Sequence, residues 1–290
     1  MIKANHHIAG IGLYALAVFA MACMNATAKY LAQWHHPLEI TFWRSAVGLV
    51  VLAGLVNFRR LEIQTAKAHM AGHIKRGVLG TLAILLAFIA FAHLPLADAI
   101  VLIFTSPLFV VGFSAAIAGE PVRSRQIIAI ILGFAGVVIV AQPTFAQSPT
   151  GLIAGLGSGM CSGLANLYLR NLGQHAATFS IMFWFLVIST SLTAPGMPFV
   201  ASMPAIELVP AIAGIGLLAL TVQLFKTRAL ARAPADIVAP VFYSMLVWNA
   251  LFDILIWDRS PPAAVWIGAG IIIGANVLTL RHEGRAGTAG

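Results

Sequence analysis

Charged side chains are scarce in this sequence: 9% of its 290 residues are charged, whereas 60% are apolar. A soluble domain carries roughly 25% charged residues. The composition therefore excludes a water-soluble globular domain and indicates a protein built for lipid. The longest connection between apolar runs covers residues 57–74, which leaves no room for a soluble catalytic or nucleotide-binding domain.

Other absences exclude whole classes of chemistry. The chain has no phosphate-binding glycine loop, no HExxH or GxSxG motif and no pair of deep carboxylates. Its two cysteines, Cys23 and Cys161, lie in apolar runs and imply no disulfide framework. The basic residues are not clustered on one soluble face, so the net charge of +8 does not indicate nucleic acid. We expect no enzyme activity, no metal and no other cofactor.

Long apolar runs are what the chain has instead. Each is long enough to cross roughly 30 Å of hydrocarbon, which takes about 20 residues in a helix. They predict an all-α polytopic membrane protein with ten transmembrane helices. The predicted spans are 8–31, 38–56, 75–92, 97–118, 125–141, 151–170, 178–195, 207–225, 235–257 and 263–280.

The chain also repeats itself. Residues 97–106 read ADAIVLIFTS, and 138 residues later 235–244 read ADIVAPVFYS. The same offset pairs Cys23 with Cys161 and Gly136 with Gly274. This agreement predicts two five-helix repeats, at 1–145 and 146–290. Because five is odd, the second repeat enters the membrane from the opposite side, and such inverted repeats are typical of secondary transporters.

Lysine and arginine fall mainly on one side of these spans. With a cytoplasmic N-terminus, 14 of the 17 lie on the cytoplasmic side, while Lys29 and Arg44 lie within or at the outer ends of spans and Arg259 in an external loop. This bias predicts a cytoplasmic (inner) membrane protein with both termini in the cytoplasm. The cytoplasmic group comprises Lys3, Arg59, Arg60, Lys67, Lys75, Arg76, Arg123, Arg125, Arg170, Lys226, Arg228, Arg232, Arg281 and Arg285.

Several first-half motifs together resemble the EamA domain of the drug/metabolite transporter superfamily. They are MNATAKYL, FWRS, LPLADAIVLIFTSPLF, AGEP and GFAGVVIV, and the second half repeats them more loosely through LANLYLRNL, RAPADIVAPVFYSMLV and GAGIIIGANVL. The resemblance covers essentially the whole chain. It implies a ten-helix exporter or metabolite carrier without a covalent cofactor, and within the superfamily the sequence looks nearest to exporters of aromatic and neutral amino acids.

Two helical faces carry the candidate substrate-binding residues. In the first span Met21, Asn25 and Lys29 recur at every fourth position, and Asn25 is the polar member nearest mid-depth. In the ninth span the stripe is Phe242, Met245, Asn249 and Asp253, flanked by Tyr243. We expect aromatic residues to pack a substrate side chain and the asparagines to bind its charged head. A bridging role between helices is the alternative for Asn25.

Each ionisable group inside a span has a functional and a structural interpretation. Asp253 could bind a substrate ammonium or a proton, or form a salt bridge with Lys29 or Arg44. Either of these cations could meet a substrate carboxylate, act in a gate or pair with Glu39. For Arg44, a position near the start of its span also allows the side chain to extend to the interface. Structural pairing is the interpretation that we favour.

Glycine and proline suggest where the bundle is tight or bends. In the sixth span Gly151, Gly155, Gly159 and Gly163 stand at every fourth residue, which favours close helix packing. Because Gly159 and Gly163 are the repeat partners of Met21 and Asn25, they could instead widen the cavity. Pro107 falls near the middle of the fourth span, where it would kink the helix and serve as a hinge.

These features favour a secondary transporter that exports small metabolites, most simply aromatic or other neutral amino acids, by alternating access. An intramembrane lipid-modifying enzyme and a non-transporting membrane receptor or scaffold are the alternatives. The inverted repeat favours a carrier, because an enzyme does not need two mirrored gates. The expected partners are a small-molecule substrate and the lipid bilayer, with no nucleic acid, and the protein could be a monomer or a homodimer.

The distribution of lysine and arginine makes the topology testable. Reporter fusions near residues 65, 123, 173, 230 and 288 should all report the cytoplasm, because both termini and the basic loops are expected there. A C-terminus found outside the cell would contradict the ten-span arrangement.

Overall fold

Helices account for the secondary structure of the part of the chain that the computed structural model describes, and no strand occurs there. The described residues are 2–59, 63, 67–106, 108–110, 112–113, 128, 131–132, 135–136, 139, 148–173, 175–230, 241–242 and 244–286. The main helices are α1 (Ile2–Leu31), α2 (Pro37–Arg59), α3 (Lys67–His93), α4 (Leu96–Ile103), α5 (Pro149–Gly173), α6 (Thr178–Thr193), α7 (Val209–Leu230), α8 (Ser244–Trp257) and α9 (Ala263–Ala286). Short helical turns at Ala194–Gly196, Met197–Val200 and Ile206–Leu208 connect α6 to α7.

Six helical segments are long and apolar enough to cross a membrane: Ile8–Leu31, Pro37–Phe58, His69–His93, Pro149–Leu169, Thr178–Val200 and Ile206–Lys226. Three shorter apolar segments, Leu96–Val110, Ser244–Trp257 and Ala263–Gly274, add to them. The predicted all-helical membrane fold is confirmed. The count of ten spans stays a prediction, because most of 125–141 and 235–243 lies outside the described residues.

Local sequence explains several helix boundaries. Proline is the first residue of both α2 and α5, where its fixed φ suits a helix and its missing N–H costs nothing. Helix α8 ends at Asp258, which has a left-handed φ of 51°, a conformation that aspartate tolerates better than most residues. The backbone N–H of Arg259 then donates to the carbonyl oxygen of Asp253 at 3.0 Å. This turn fixes the end of the helix that carries Asp253.

Packing joins the two halves of the chain closely. Helix α3 packs on α5 and α6, α1 packs on α7 and α8, and α2 packs on α6 and α7. The fully buried core side chains accordingly come from both halves, among them Phe88, Leu102 and Ile215. Large apolar side chains such as Phe58 and Ile153 are exposed on the outer surface, as expected for a surface that faces lipid tails.

Helix α4 is interrupted halfway through its apolar segment. After Ile103 the chain makes a turn at 104–105, where the N–H of Thr105 donates to the carbonyl of Leu102 at 3.2 Å and its hydroxyl donates to the same oxygen at 2.6 Å. Helical bonding then resumes, with the N–H of Phe109 reaching the carbonyl of Thr105. Pro107, the predicted hinge, lies outside the described residues, but this break stands two residues before it.

The glycine stripe of α5 packs against α4 on both sides of the break. A Cβ atom on Gly159 would lie 2.6 Å from the Thr105 hydroxyl oxygen and 3.2 Å from the Leu102 carbonyl oxygen. On Gly163 it would lie 2.9 Å from the carbonyl oxygen of Ser106. The stripe therefore permits close backbone contact between the helices, in agreement with the packing interpretation.

Adding one methyl group tests this contact. Gly163→Ala should lower the free energy of unfolding by about 1–3 kcal/mol, because the new methyl meets backbone that cannot move aside. Gly54→Ala is the matched control, since nothing lies within 4 Å of a Cβ there and alanine stabilises a helix by about 0.5–1 kcal/mol over glycine. Thermal unfolding in detergent measures both. A wild-type melting temperature for Gly163→Ala would contradict the packing account.

Candidate functional site

A cavity of about 320 Å³ lies in the middle of the bundle, with walls contributed by α1 to α8. Much of its wall is apolar. The apolar lining side chains include Met21, Met24, Ile84, Ala87, Phe91, Ile100, Ile103, Phe185, Phe242 and Met245. This volume falls at the lower end of the range of small-molecule sites, which are mostly apolar with a few placed polar groups.

Neutral polar groups stand at several points of the wall. Asn25, Ser106, Ser158, Ser162, Asn166 and Gln223 line it. Ser158 is already occupied in part, since its hydroxyl donates to the carbonyl oxygen of Ala83 at 2.8 Å. The amides of Asn166 and Gln223 extend the hydrogen-bonding capacity of the cavity, because each side-chain amide offers donors and an acceptor.

Three cations also line this cavity: Arg44, Arg76 and Lys226. Arg44 and Arg76 are 7% and 8% exposed, and the Nη1 atom of each has no hydrogen-bond partner among the described residues. The remaining contacts of these guanidinium groups are weak ones. Arg44 Nε donates to the Met24 sulfur at 3.5 Å, and Arg76 lies 3.9 Å from the ring centre of Phe185. No aspartate or glutamate is among the described lining residues.

Arg76 and Lys226 are both expected on the cytoplasmic side from the sequence, and the structure adds that each lies within a helix and lines the cavity. Helix α3 begins at Lys67, eight residues before the predicted start of the span, so Arg76 lies about 13 Å along it at 1.5 Å per residue. Helix α7 likewise continues to Leu230, beyond Lys226. Both helices extend past their purely apolar runs, so Arg76 and Lys226 lie on helices rather than in connecting loops.

Three predicted site residues, Met21, Asn25 and Phe242, line the cavity. Asn249 lies behind Asn25: the Asn25 amide nitrogen is 3.4 Å from the Asn249 side-chain oxygen, and the Asn249 amide donates to the Met245 carbonyl oxygen at 2.6 Å. Asn249 is fully buried, so this geometry fits a residue that orients Asn25. Among the other predicted substrate-binding residues, Gly159 and Gly163 do not line the cavity. Tyr243 lies outside the described residues.

Asp253 and Lys29 form a buried ion pair at one end of the bundle. Lys29 Nζ lies 2.7 Å from Asp253 Oδ1, and Asp253 Oδ2 accepts the backbone N–H of Ala97 at 2.9 Å. The Lys29 ammonium also lies 4.5 Å from the ring centre of Trp257. Both carboxylate oxygens of Asp253 are thus engaged, and neither member of the pair is among the lining residues. Of the roles weighed for Asp253, the salt bridge with Lys29 is the one that this structure contains.

Among the residues that the structure describes, Arg44 has no carboxylate partner. The predicted partner Glu39 instead lies 3.1 Å from His35, measured from Oε1 to Nδ1. Arg44 points into the cavity rather than outward to the interface, which removes the extended-to-surface interpretation. Its position in α2, seven residues after Pro37, places it about 10 Å along the helix.

A bundle of apolar helices around a cavity with buried polar groups defines a multi-pass membrane protein with a central cavity of small-molecule size. Residues 8–142 and 149–281 each match the EamA-like transporter family. The chain belongs to this family and contains its domain twice. It is therefore a membrane transporter, and the prediction that it is no enzyme agrees with this assignment.

Several curated proteins resemble the chain over nearly its full length. The pseudopaline exporter of Pseudomonas aeruginosa is 30% identical over 94% of this chain and 96% of its own length. A riboflavin transporter of Rhizobium johnstonii is 26% identical over 98% and 95%, and mouse solute carrier family 35 member G1 is 26% identical over 94% and 79%. A crystal structure matches with a TM-score of 0.62 at 18% identity, covering 95% of this chain and 96% of that one, which supports the fold alone. The resemblance to the superfamily is thereby confirmed, whereas these relatives are not named as amino acid exporters.

The ion pair can be tested by stability. Asp253→Asn should lower the free energy of unfolding by about 3–5 kcal/mol, because it leaves the Lys29 ammonium buried without its counterion. In the double variant Lys29→Met/Asp253→Asn most of that loss should be recovered, since no charge remains and the Asn oxygen can still accept the Ala97 N–H. Thermal unfolding of the three proteins measures this. A double variant as unstable as Asp253→Asn would show that the charge is not the cause.

Proposed function

We propose that this protein is a secondary carrier that exports a small metabolite across the cytoplasmic (inner) membrane by alternating access. The observation that carries the proposal is the central cavity, whose walls come from both copies of the family domain. A site between two repeats near the middle of a bundle is the arrangement that alternating access requires, because each repeat can then close one side of it. Both termini are assigned to the cytoplasm by the positive-inside bias.

The packing of the helices supports a two-fold relation between the two copies, and the inversion itself follows from the odd number of spans predicted for each copy. Exchanging the two copies at the offset of 138 residues maps α1 onto α5, α2 onto α6 and α3 onto α7. Under this exchange the contact of α3 with α5 becomes that of α1 with α7, and the contact of α2 with α7 becomes that of α3 with α6. Contacts that recur in exchanged form are what a two-fold relation between the halves produces.

The ends of the cavity suggest which side is closed. The Lys29–Asp253 pair joins the C-terminal ends of α1 and α8 to the start of α4, and the proposed topology places these ends outside. At the other end of the cavity, Leu169 and Lys226 each lie four residues before the ends of α5 and α7. We therefore propose the ion pair as the external gate, with the cavity extending toward the cytoplasmic ends of α5 and α7.

The names of the relatives support a metabolite as substrate. One is named an exporter of pseudopaline and another a riboflavin transporter, so members of the family handle organic solutes of different kinds. Aromatic or other neutral amino acids stay the sequence-based prediction for this chain. The cavity admits them sterically, and its aromatic side chains Phe91, Phe185 and Phe242 could pack an amino acid side chain.

Flux through purified protein in sealed liposomes tests the proposal. The liposomes are loaded with one labelled solute at a time, from a panel of amino acids, organic acids and riboflavin. Saturable release of an unmodified solute, absent from protein-free liposomes, is the expected result. A chemically altered lipid without solute flux would instead indicate an intramembrane enzyme, and neither result across the panel would favour a receptor or scaffold.

Asn25 provides the sharpest test of the site. Asn25→Ala should reduce flux of the transported solute at least several-fold, because it removes a polar group from the cavity wall, while the melting temperature changes little since its bond to Asn249 is long. Asn57→Ala is the matched control, since Asn57 is exposed and does not line the cavity. Tyr243→Ala is predicted from the sequence to act like Asn25→Ala. Wild-type flux in a stable Asn25→Ala protein would place the site elsewhere.

A further inference from the structure

The cations of the cavity are the feature that the proposed function leaves unexplained. Arg44, Arg76 and Lys226 come from three different helices and meet in one cavity. Arg76 is close enough to both others for their positive charges to repel. Elsewhere in the described bundle the buried cation Lys29 has a carboxylate partner. Arg44 and Arg76 are buried and Lys226 is half-buried. A buried charge without a partner is strongly unfavourable, so this cluster calls for a ligand that neutralises it.

We propose that the transported solute is an organic anion with at least two carboxylate groups, bound by Arg44, Arg76 and Lys226. The inference rests on the proposed function and names its substrate class. Two carboxylates reduce the net charge of the three cations to +1 and a third would cancel it, whereas a neutral or singly charged solute leaves at least two uncompensated cations in a low-dielectric interior. An organic dianion also uses the rest of the cavity, because its carbon skeleton can pack on the apolar wall.

The geometry of the guanidinium groups fits carboxylates in particular. Both Nη1 atoms are buried and lack a partner among the described residues, and a planar guanidinium can donate two parallel hydrogen bonds to one carboxylate. Phe185 holds Arg76 by stacking on the cation, which orients it without neutralising its charge. Asn166 and Gln223 also line the cavity and can donate to the same anionic groups through their amides.

Two matched pairs of probes separate charge from shape: glutarate with glutaramide, and phthalate with phthalamide. Each amide keeps the skeleton of its acid but carries no charge. The full-length protein in phosphatidylcholine nanodiscs is titrated with each probe, and thermal unfolding gives the apparent affinity. At least one acid should bind about tenfold or more tightly than its amide, since losing a charged partner in a buried site costs that much. Equal affinity of acid and amide in both pairs would overturn the proposal.

Substitutions test whether Arg76 binds the anionic group of the acid. Arg76→Gln should weaken binding of the acid at least about tenfold and leave the amide unchanged, whereas Arg76→Lys should restore part of the difference. Lys75→Gln is the matched control, because it removes a neighbouring charge from an exposed side chain outside the cavity. The ligand-free Arg76→Gln protein should melt no lower than wild type, since it loses an unpaired buried charge. If Arg76→Gln unfolds, Lys226→Gln is tested in its place. Unchanged binding of the acid by the folded variant would overturn the proposal that these cations bind it.

Anionic lipid is another source of the same negative charge. Repeating the titration in phosphatidylglycerol nanodiscs should leave the preference for the acid in place. Loss of that preference, together with stabilisation of wild type but not of Arg76→Gln by the lipid alone, would assign the cations to headgroups and overturn the proposal.

Failure of this inference and failure of the proposed function give different results. Saturable flux of neutral solutes that Arg76→Gln does not alter would support a carrier and contradict an anionic substrate. Selective binding of a dicarboxylate without flux of any solute would support the anion-binding site and contradict the carrier function.

Discussion

The cost of placing charge in a low-dielectric interior governs this structure. The bundle contains buried charges of two kinds. The carboxylate of Asp253 has both oxygens engaged, by the Lys29 ammonium and by the Ala97 N–H, so the pair adds no net charge and ties three helices together. The cations of the central cavity carry no such compensation among the described residues, and a cavity that concentrates positive charge is suited to receive negative charge.

Much of the fold follows from this constraint and could be read from the sequence. Long apolar runs were expected to be helical, because only helices and closed barrels satisfy the backbone inside lipid. The helices of the described residues overlap the predicted spans, although α3 begins earlier and α4 ends earlier than predicted. The pairing of Asp253 with Lys29 was one of the weighed interpretations, since an isolated carboxylate at such depth needs a partner. Gly159 was likewise read as a packing residue, because a four-residue repeat of small side chains allows close contact.

The lining of the candidate site was predicted only in part, for two physical reasons. Hydropathy marks where a helix becomes apolar, not where it begins, so Arg76 and Lys226 looked like interfacial charges although their helices extend beyond them. Periodicity shows that Asn25 and Asn249 each share a helical face with apolar neighbours. It does not show which of the two asparagines reaches the cavity. That distinction depends on the packing of α1 against α8, in which Asn249 bonds the Met245 carbonyl behind Asn25.

The interrupted helix α4 links the ion pair to the cavity. Its first turn is held by Asp253 through the Ala97 N–H, its next turns place Ile100 and Ile103 in the cavity wall, and its break at 104–105 lies against Gly159. A helix broken in the middle can change the angle between its parts at lower cost than a continuous one, because the backbone bonds at the break are already rearranged. Solute bound in the cavity and the ion pair therefore contact the same short helix. A solute can shift the conformational equilibrium only if it binds one conformation better than the other. If it binds better when the N-terminal part of α4 has moved, its binding would break the hydrogen bond between Asp253 and the Ala97 N–H.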